Sequence, residues 1–138
     1  MGKLSLQEAF AVFGGKPTNR LHSLSALAAD GTEMILGCYA KRFTHPKRGV
    51  LRYHDALSSE SGHPAEMQSL GQHLTRARDA NLPVRMIVIT EKPAEADKVT
   101  REIHVRTDLV GKVVEFDGER FVIDFIRGAE AAKSATGK

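Results

Sequence analysis

The chain has 138 residues, 41% of them apolar and 27% charged, with 20 Lys and Arg against 17 Asp and Glu for a formal net charge of +3. That length suits one domain, expected over residues 1–128, with 129–138 as a small, polar, disordered tail. The lone Cys38 excludes an internal disulfide and any Cys-x-x-Cys motif, and no apolar run approaches the roughly 20 residues of a membrane span.

The start of the chain carries neither the apolar stretch of a signal peptide nor a myristoylation motif, so it reads as soluble and cytoplasmic with no membrane partner. Ser5 and Glu8 form a capping box, Leu6, Ala9, Phe10 and Phe13 recur at helical spacing, and Gly14-Gly15 provides the left-handed exit; a helix is expected over 6–13. From 21 to 43 the pattern is two strands about Asp30-Gly31, a type I′ hairpin pair. Setting Ala29 opposite Thr32 puts Ser23 opposite Cys38 and gathers Met34, Leu36, Cys38 and Ala40 on one face.

A loop over 44–49, marked by Pro46 and Gly49, leads to a third strand over 50–54. A polar loop precedes a helix over 64–80, with Pro64 in its first turn, an apolar stripe of Met67, Leu70, Leu74 and Ala77, and Asn81 as its cap. The run Met86-Ile87-Val88-Ile89 fits a strand covered on both faces, and with the third strand and the helix it suggests a right-handed parallel crossover. Acidic residues from Glu91 onward read as a solvated loop, and 101–106 as a further strand.

A last hairpin is expected about Asp117-Gly118, with Phe116 opposite Glu119, so that Val110, Val114, Phe121, Ile123 and Phe125 share a face. Lys112 then falls on the apolar face, where it must snorkel or shift the register. The element order predicts an α+β fold: a mostly antiparallel, twisted or partly closed sheet of six to seven strands with two main helices.

Charge is concentrated in 41–54, where Lys41, Arg42, Lys47, Arg48 and Arg52 stand with no acid between Glu33 and Asp55. Five charges here against +3 overall leave the remainder at −2. Phe43 and Tyr53 bracket the segment, and His45 lies within it. Cations hold phosphates and aromatic rings stack on bases, so these residues are the candidate nucleic-acid contacts, extended by Arg76 and Arg78 on the second helix and further by Arg85, Arg101 and Arg106. The bland alternative is a solvated hairpin tip whose lysines guard a sheet edge.

The six histidines show no metal spacing: His63 and His73 are ten apart, and about 1000° of helical rotation separates them. Cys38 shares a strand face with Met34 and Leu36 and reads as a buried hydrophobe, and the serines lack a Gly-x-Ser-x-Gly elbow. No metal, cofactor or catalytic residue is assigned.

The opening Leu4-Ser5-Leu6-Gln7-Glu8-Ala9-Phe10, the phrase Lys16-Pro17-Thr18-Asn19 and the hairpin from Ser25 through Gly31 resemble small uncharacterised bacterial proteins associated with mobile elements and restriction or defence loci. The likeness covers the first third of the chain. That pattern has tryptophans about the first strand, where this chain has Leu21-His22-Ser23-Leu24. Three readings follow: a nucleic-acid-binding domain; a protein-interaction or inhibitor module, such as a homodimer, using a hairpin edge or the helix bearing Met67, Leu70 and Leu74; and a hydrolase or transferase built from His22, Tyr39, His54 or His104.

Overall fold

Ser5 opens the first helix, α1 (Leu6–Val12), through a complete capping box: the Glu8 N–H donates to Ser5 Oγ at 3.1 Å and the Ser5 N–H to Glu8 Oε1 at 2.8 Å. Gly14, at φ +78°, turns the chain out, and the Gly15 N–H closes on the Phe10 carbonyl at 2.9 Å. The computed structural model describes residues 5–15, 25–28, 31–60, 64–93 and 99–127. The expected tail over 129–138, together with His22 and His63, lies outside them.

Seven strands form one mixed sheet: β1 (Ser25–Leu27), β2 (Met34–Tyr39), β3 (Phe43–Lys47), β4 (Val50–Ala56), β5 (Val84–Pro93), β6 (Val99–Phe116) and β7 (Arg120–Arg127), in the order β1-β2-β5-β6-β7-β4-β3. All neighbours are antiparallel except β2 and β5. With α1 and α2 (Pro64–Ala80) the fold is α+β and the sheet is not closed. No helix among the described residues is long and apolar enough to cross a membrane.

The parallel pair explains the two most apolar segments. Met34, Leu36 and Met86 face α2, where Leu70, Leu74 and Ala77 pack, while Ile35, Ile87 and Ile89 face α1 with Leu6, Ala9 and Phe10. Strands covered on both faces lose the alternation of a half-exposed strand. The sheet thus carries two cores, one per face.

Helix α2 has the expected bounds, and Asn81 ends it at φ +55° with the Leu82 N–H on the Ala77 carbonyl at 2.9 Å. The expected crossover is corrected in its partner. β4 is flanked by β3 and β7, so the strand after α2 runs parallel to β2 instead. The expected loop from Glu91 is also replaced, because β5 continues to Pro93 and pairs there with the start of β6.

Four strands separate β2 from β3 in the sheet, yet only the 3₁₀ turn Ala40–Arg42 joins them in the chain. The sheet must coil to bring its ends together. At this seam a side chain does what a ladder would: the Tyr39 N–H donates to the Tyr53 hydroxyl at 3.0 Å, and that hydroxyl donates to Asp55 Oδ2 at 2.6 Å. Arg42 Nη1 lies 3.6 Å from Asp55 Oδ1, and the Asp55 side chain is only 3% exposed.

The β1–β2 hairpin keeps the expected register, with Ser25 opposite Leu36 and Leu27 opposite Met34. The β6–β7 hairpin does not. Asp117 Oδ1 accepts the N–H groups of Glu119 and Arg120, the turn widens to put Phe116 opposite Phe121, and a bulge between Val113 and Glu115 shifts the ladder again. Leu109, Gly111 and Val113 therefore face the core with Phe121, Ile123 and Phe125, while Val114 is exposed and Lys112 stands outward opposite Asp124. The register shift, and not snorkelling, removes Lys112 from the apolar face.

Candidate nucleic-acid interface

Residues 44–49 are not a loop. β3 runs through Pro46 at the open edge of the sheet, where a missing N–H costs no ladder bond, and Arg48-Gly49 turns into β4 with Gly49 at φ +84°. Period-two alternation then sorts the basic segment. Phe43 and Tyr53, opposite each other, point inward; Thr44 and Arg52 point outward, as does His54, whose Nε2 meets Thr44 Oγ1 at 3.1 Å.

The outward residues continue across the sheet as a row. Thr44 is opposite Arg52, Arg52 opposite Asp124, and Asp124 opposite Lys112, so one line crosses β3, β4, β7 and β6. Arg52 grips Asp124 in a fork, Nε to Oδ1 at 2.6 Å and Nη2 to Oδ2 at 2.9 Å. This bond, helped by the nearby charges of Arg52, Lys47 and His54 and opposed by partial burial, holds the Asp124 carboxyl below the usual carboxylate range. Lys47 and Lys112 line one depression with Asp124, while Arg52, which holds Asp124, also lies in the field of Glu115. Arg48 and His45 stand exposed beside them.

The other expected contacts are placed differently. Tyr53 has no exposed surface; its ring packs against Phe43 at 5.2 Å and Phe121 at 6.2 Å between centroids. It cannot offer a face to a base, and half-buried Phe43 is spent on Tyr53. Lys41 lies 3.7 Å from Glu91 and Arg42 is turned to Asp55. On α2, Arg78 donates to Asp79 at 3.0 Å and to the Phe116 carbonyl at 2.9 Å, whereas Arg76 has no ion pair among the described residues.

Arg85 and Arg106, the cations that could extend the basic face, do not join this row among the described residues. Arg85 lies on the α1 side, its guanidinium 5.0 Å above the Phe13 ring and bonded to the Thr107 carbonyl, and Arg106 is forked onto Asp108. The side chain of Arg101 is outside the described residues. Lys112 and Asp124 were missed because the hairpin register hid them. The one sign of Lys112 in the sequence is its misfit on an apolar face.

The alternative readings gain less. Cys38 is wholly buried, and burial, aided by the charge of Asp55, pushes its thiol well up, away from nucleophilic use. Among the described residues no three His, Cys, Asp or Glu side chains gather as a metal set. Leu70 and Leu74 are core, and Pro46 with Lys47 on the open β3 edge opposes strand addition by a partner.

No protein-family model, no curated protein and no solved structure matches the chain. Function therefore has to be argued from the side chains themselves.

Proposed function

We propose that the chain is a non-enzymatic, cytoplasmic nucleic-acid-binding domain that holds the phosphate backbone on the outer face of β3, β4, β7 and β6. The observation that carries this reading is the excess of cations there: Lys47, Arg48 and Lys112 are exposed without ion pairs among the described residues, around the fixed Arg52–Asp124 pair. Arg42, Arg78 and Arg106 already hold a carboxylate and would have to break that contact to bind a phosphate. The free three need not.

Asp124 supports the reading by position. It holds the Arg52 guanidinium by two hydrogen bonds, and the Lys47 and Lys112 side chains stand exposed near that pair. With Tyr53 buried, this face reads no base edges by stacking, and its affinity comes from counterion release.

Fluorescence anisotropy of a labelled duplex against salt tests this. Three phosphate contacts give a log–log slope of about −2.7 and a loss of about 40-fold in affinity between roughly 50 and 200 mM salt. Joint replacement Lys47→Gln, Arg48→Gln and Lys112→Gln should weaken binding at low salt and flatten that slope. Absence of binding to the duplex and to a single strand alike at about 50 mM salt, or an unaltered slope in the triple variant, refutes the proposal.

A further inference from the structure

A groove of about 910 Å³ runs between α2 and the tip of the β6–β7 hairpin, within the roughly 300–1,000 Å³ range of small-ligand clefts. Leu57, Met67 and the half-buried Phe116 supply its apolar surface. Phe116 reaches it because the bulge at Val114 leaves Val114 and Glu115 exposed and turns Phe116 back beneath the helix. Gly71 keeps the floor low: a Cβ there would sit 3.3 Å from Leu57 Cδ1.

The helix side of the groove is ordered along its length. Gln68, Gln72 and Arg76 follow at intervals of four, on one face of α2, so two neutral amides precede a guanidinium that has no ion pair among the described residues. The one carboxylate of the walls, Asp79, is engaged by Arg78 at 3.0 Å. At the C-terminal end of α2 the groove and the depression of the cation row come within one residue of each other, Ala80 lining the first and Asn81 the second.

From this arrangement we infer that the groove receives an unpaired base of a single strand whose phosphates lie on Lys47 and Lys112. The inference rests on the phosphate-binding reading above and extends it to a substrate class, single-stranded nucleic acid. The base lies on the apolar surface of Met67 beside Phe116, whose ring already carries the Arg78 guanidinium at 5.8 Å, the Gln68 and Gln72 amides donate to and accept from its edge, and Arg76 takes the attached phosphate. The amides suit a base edge because each carries both donors and acceptors, which a purely apolar protein segment would leave unpaired.

The test compares an oligodeoxythymidine with an abasic deoxyribose-phosphate oligomer of equal length, each bound to the full chain at about 50 mM salt. The base-bearing strand should bind about 10-fold tighter, the scale of one stacked base. Filling the groove with Gly71→Leu should bring it down to the abasic level with the salt slope kept. Gln72→Ala, at an exposed helical position, should weaken the base-bearing strand alone and stands in if the leucine variant does not fold. Equal binding of the two oligomers by the native chain, or an unchanged preference in both variants, overturns the groove inference and leaves the phosphate reading standing. Binding of neither oligomer overturns both, and a groove meant for a protein segment would show up as equal binding.

Discussion

Replacing Tyr53 by phenylalanine removes a single oxygen from the seam where the two ends of the coiled sheet meet. That oxygen accepts the Tyr39 N–H at 3.0 Å and donates to Asp55 Oδ2 at 2.6 Å. Burial first, then the Cys38 and Asp55 charges, push the phenol far above its ordinary range, so it is always present as the donor. A neutral hydrogen bond contributes about 1 kcal/mol and one to a carboxylate about 1.5–3 kcal/mol. Asp55 keeps Arg42 and the Ala56 N–H, both on Oδ1. The expected loss is therefore about 3 kcal/mol, a large part of the roughly 5–15 kcal/mol that holds a domain together. In urea unfolding with a slope of about 1.5 kcal/mol/M the midpoint should fall by about 2 M. A fall below about 0.5 M with an unchanged slope would mean that the hydroxyl does not fasten the seam.

Gly111→Ala should cost about 1–3 kcal/mol by overpacking, since the added Cβ would stand 2.5 Å from the Phe125 ring in the core; a melting temperature equal to the parent's would contradict this packing. His73 is pushed below its ordinary range mainly by burial, with Glu66 pulling the other way, and its Nδ1 lies 2.7 Å from the Ser25 hydroxyl. The unfolded chain then binds a proton more readily, so stability should rise with pH from the folded value up to about 6.5 and level off above it. Urea midpoints at about pH 5.5 and 7.5 should differ more in the parent than in His73→Gln, and equal differences would count against the assignment.

The fold was legible where its determinants are local. Ser5 with Glu8 and Pro64 with Asn81 each specify a cap from neighbouring residues, and the first hairpin keeps its expected register, although the Gly31 N–H closes on the Ala28 carbonyl at 2.8 Å in place of the expected two-residue turn at Asp30-Gly31. Asp117-Gly118 presents the same dipeptide, but its carboxylate captures two N–H groups and widens the turn, which a two-residue rule does not contain. Pairing of β2 with β5 was hidden because it depends on which edges other strands leave open.

The site divided along the same line. Clustering of cations in 41–54 is a property of the sequence, while the inward or outward sense of each residue is a property of register. Arg52 reads as a free cation until a strand 72 residues away brings Asp124 against it, and Lys112 joins the surface only through the slipped hairpin. Tyr53, chosen as a stacking ring, is the centre of the seam.

The three-residue passage from β2 to β3 also bears on how the chain folds. β2 and β3 are consecutive in the chain but do not pair with each other: β5, β6, β7 and β4 lie between them in the sheet. The seam bond itself spans only 14 residues, so the long-range ladders are those of β2 with β5 and of β4 with β7, the kind of contact that slows folding. A cut within residues 40–42 would leave every ladder bond and the Tyr39–Tyr53 hydrogen bond in place, so the short connection and that hydroxyl are two separate fastenings of one seam.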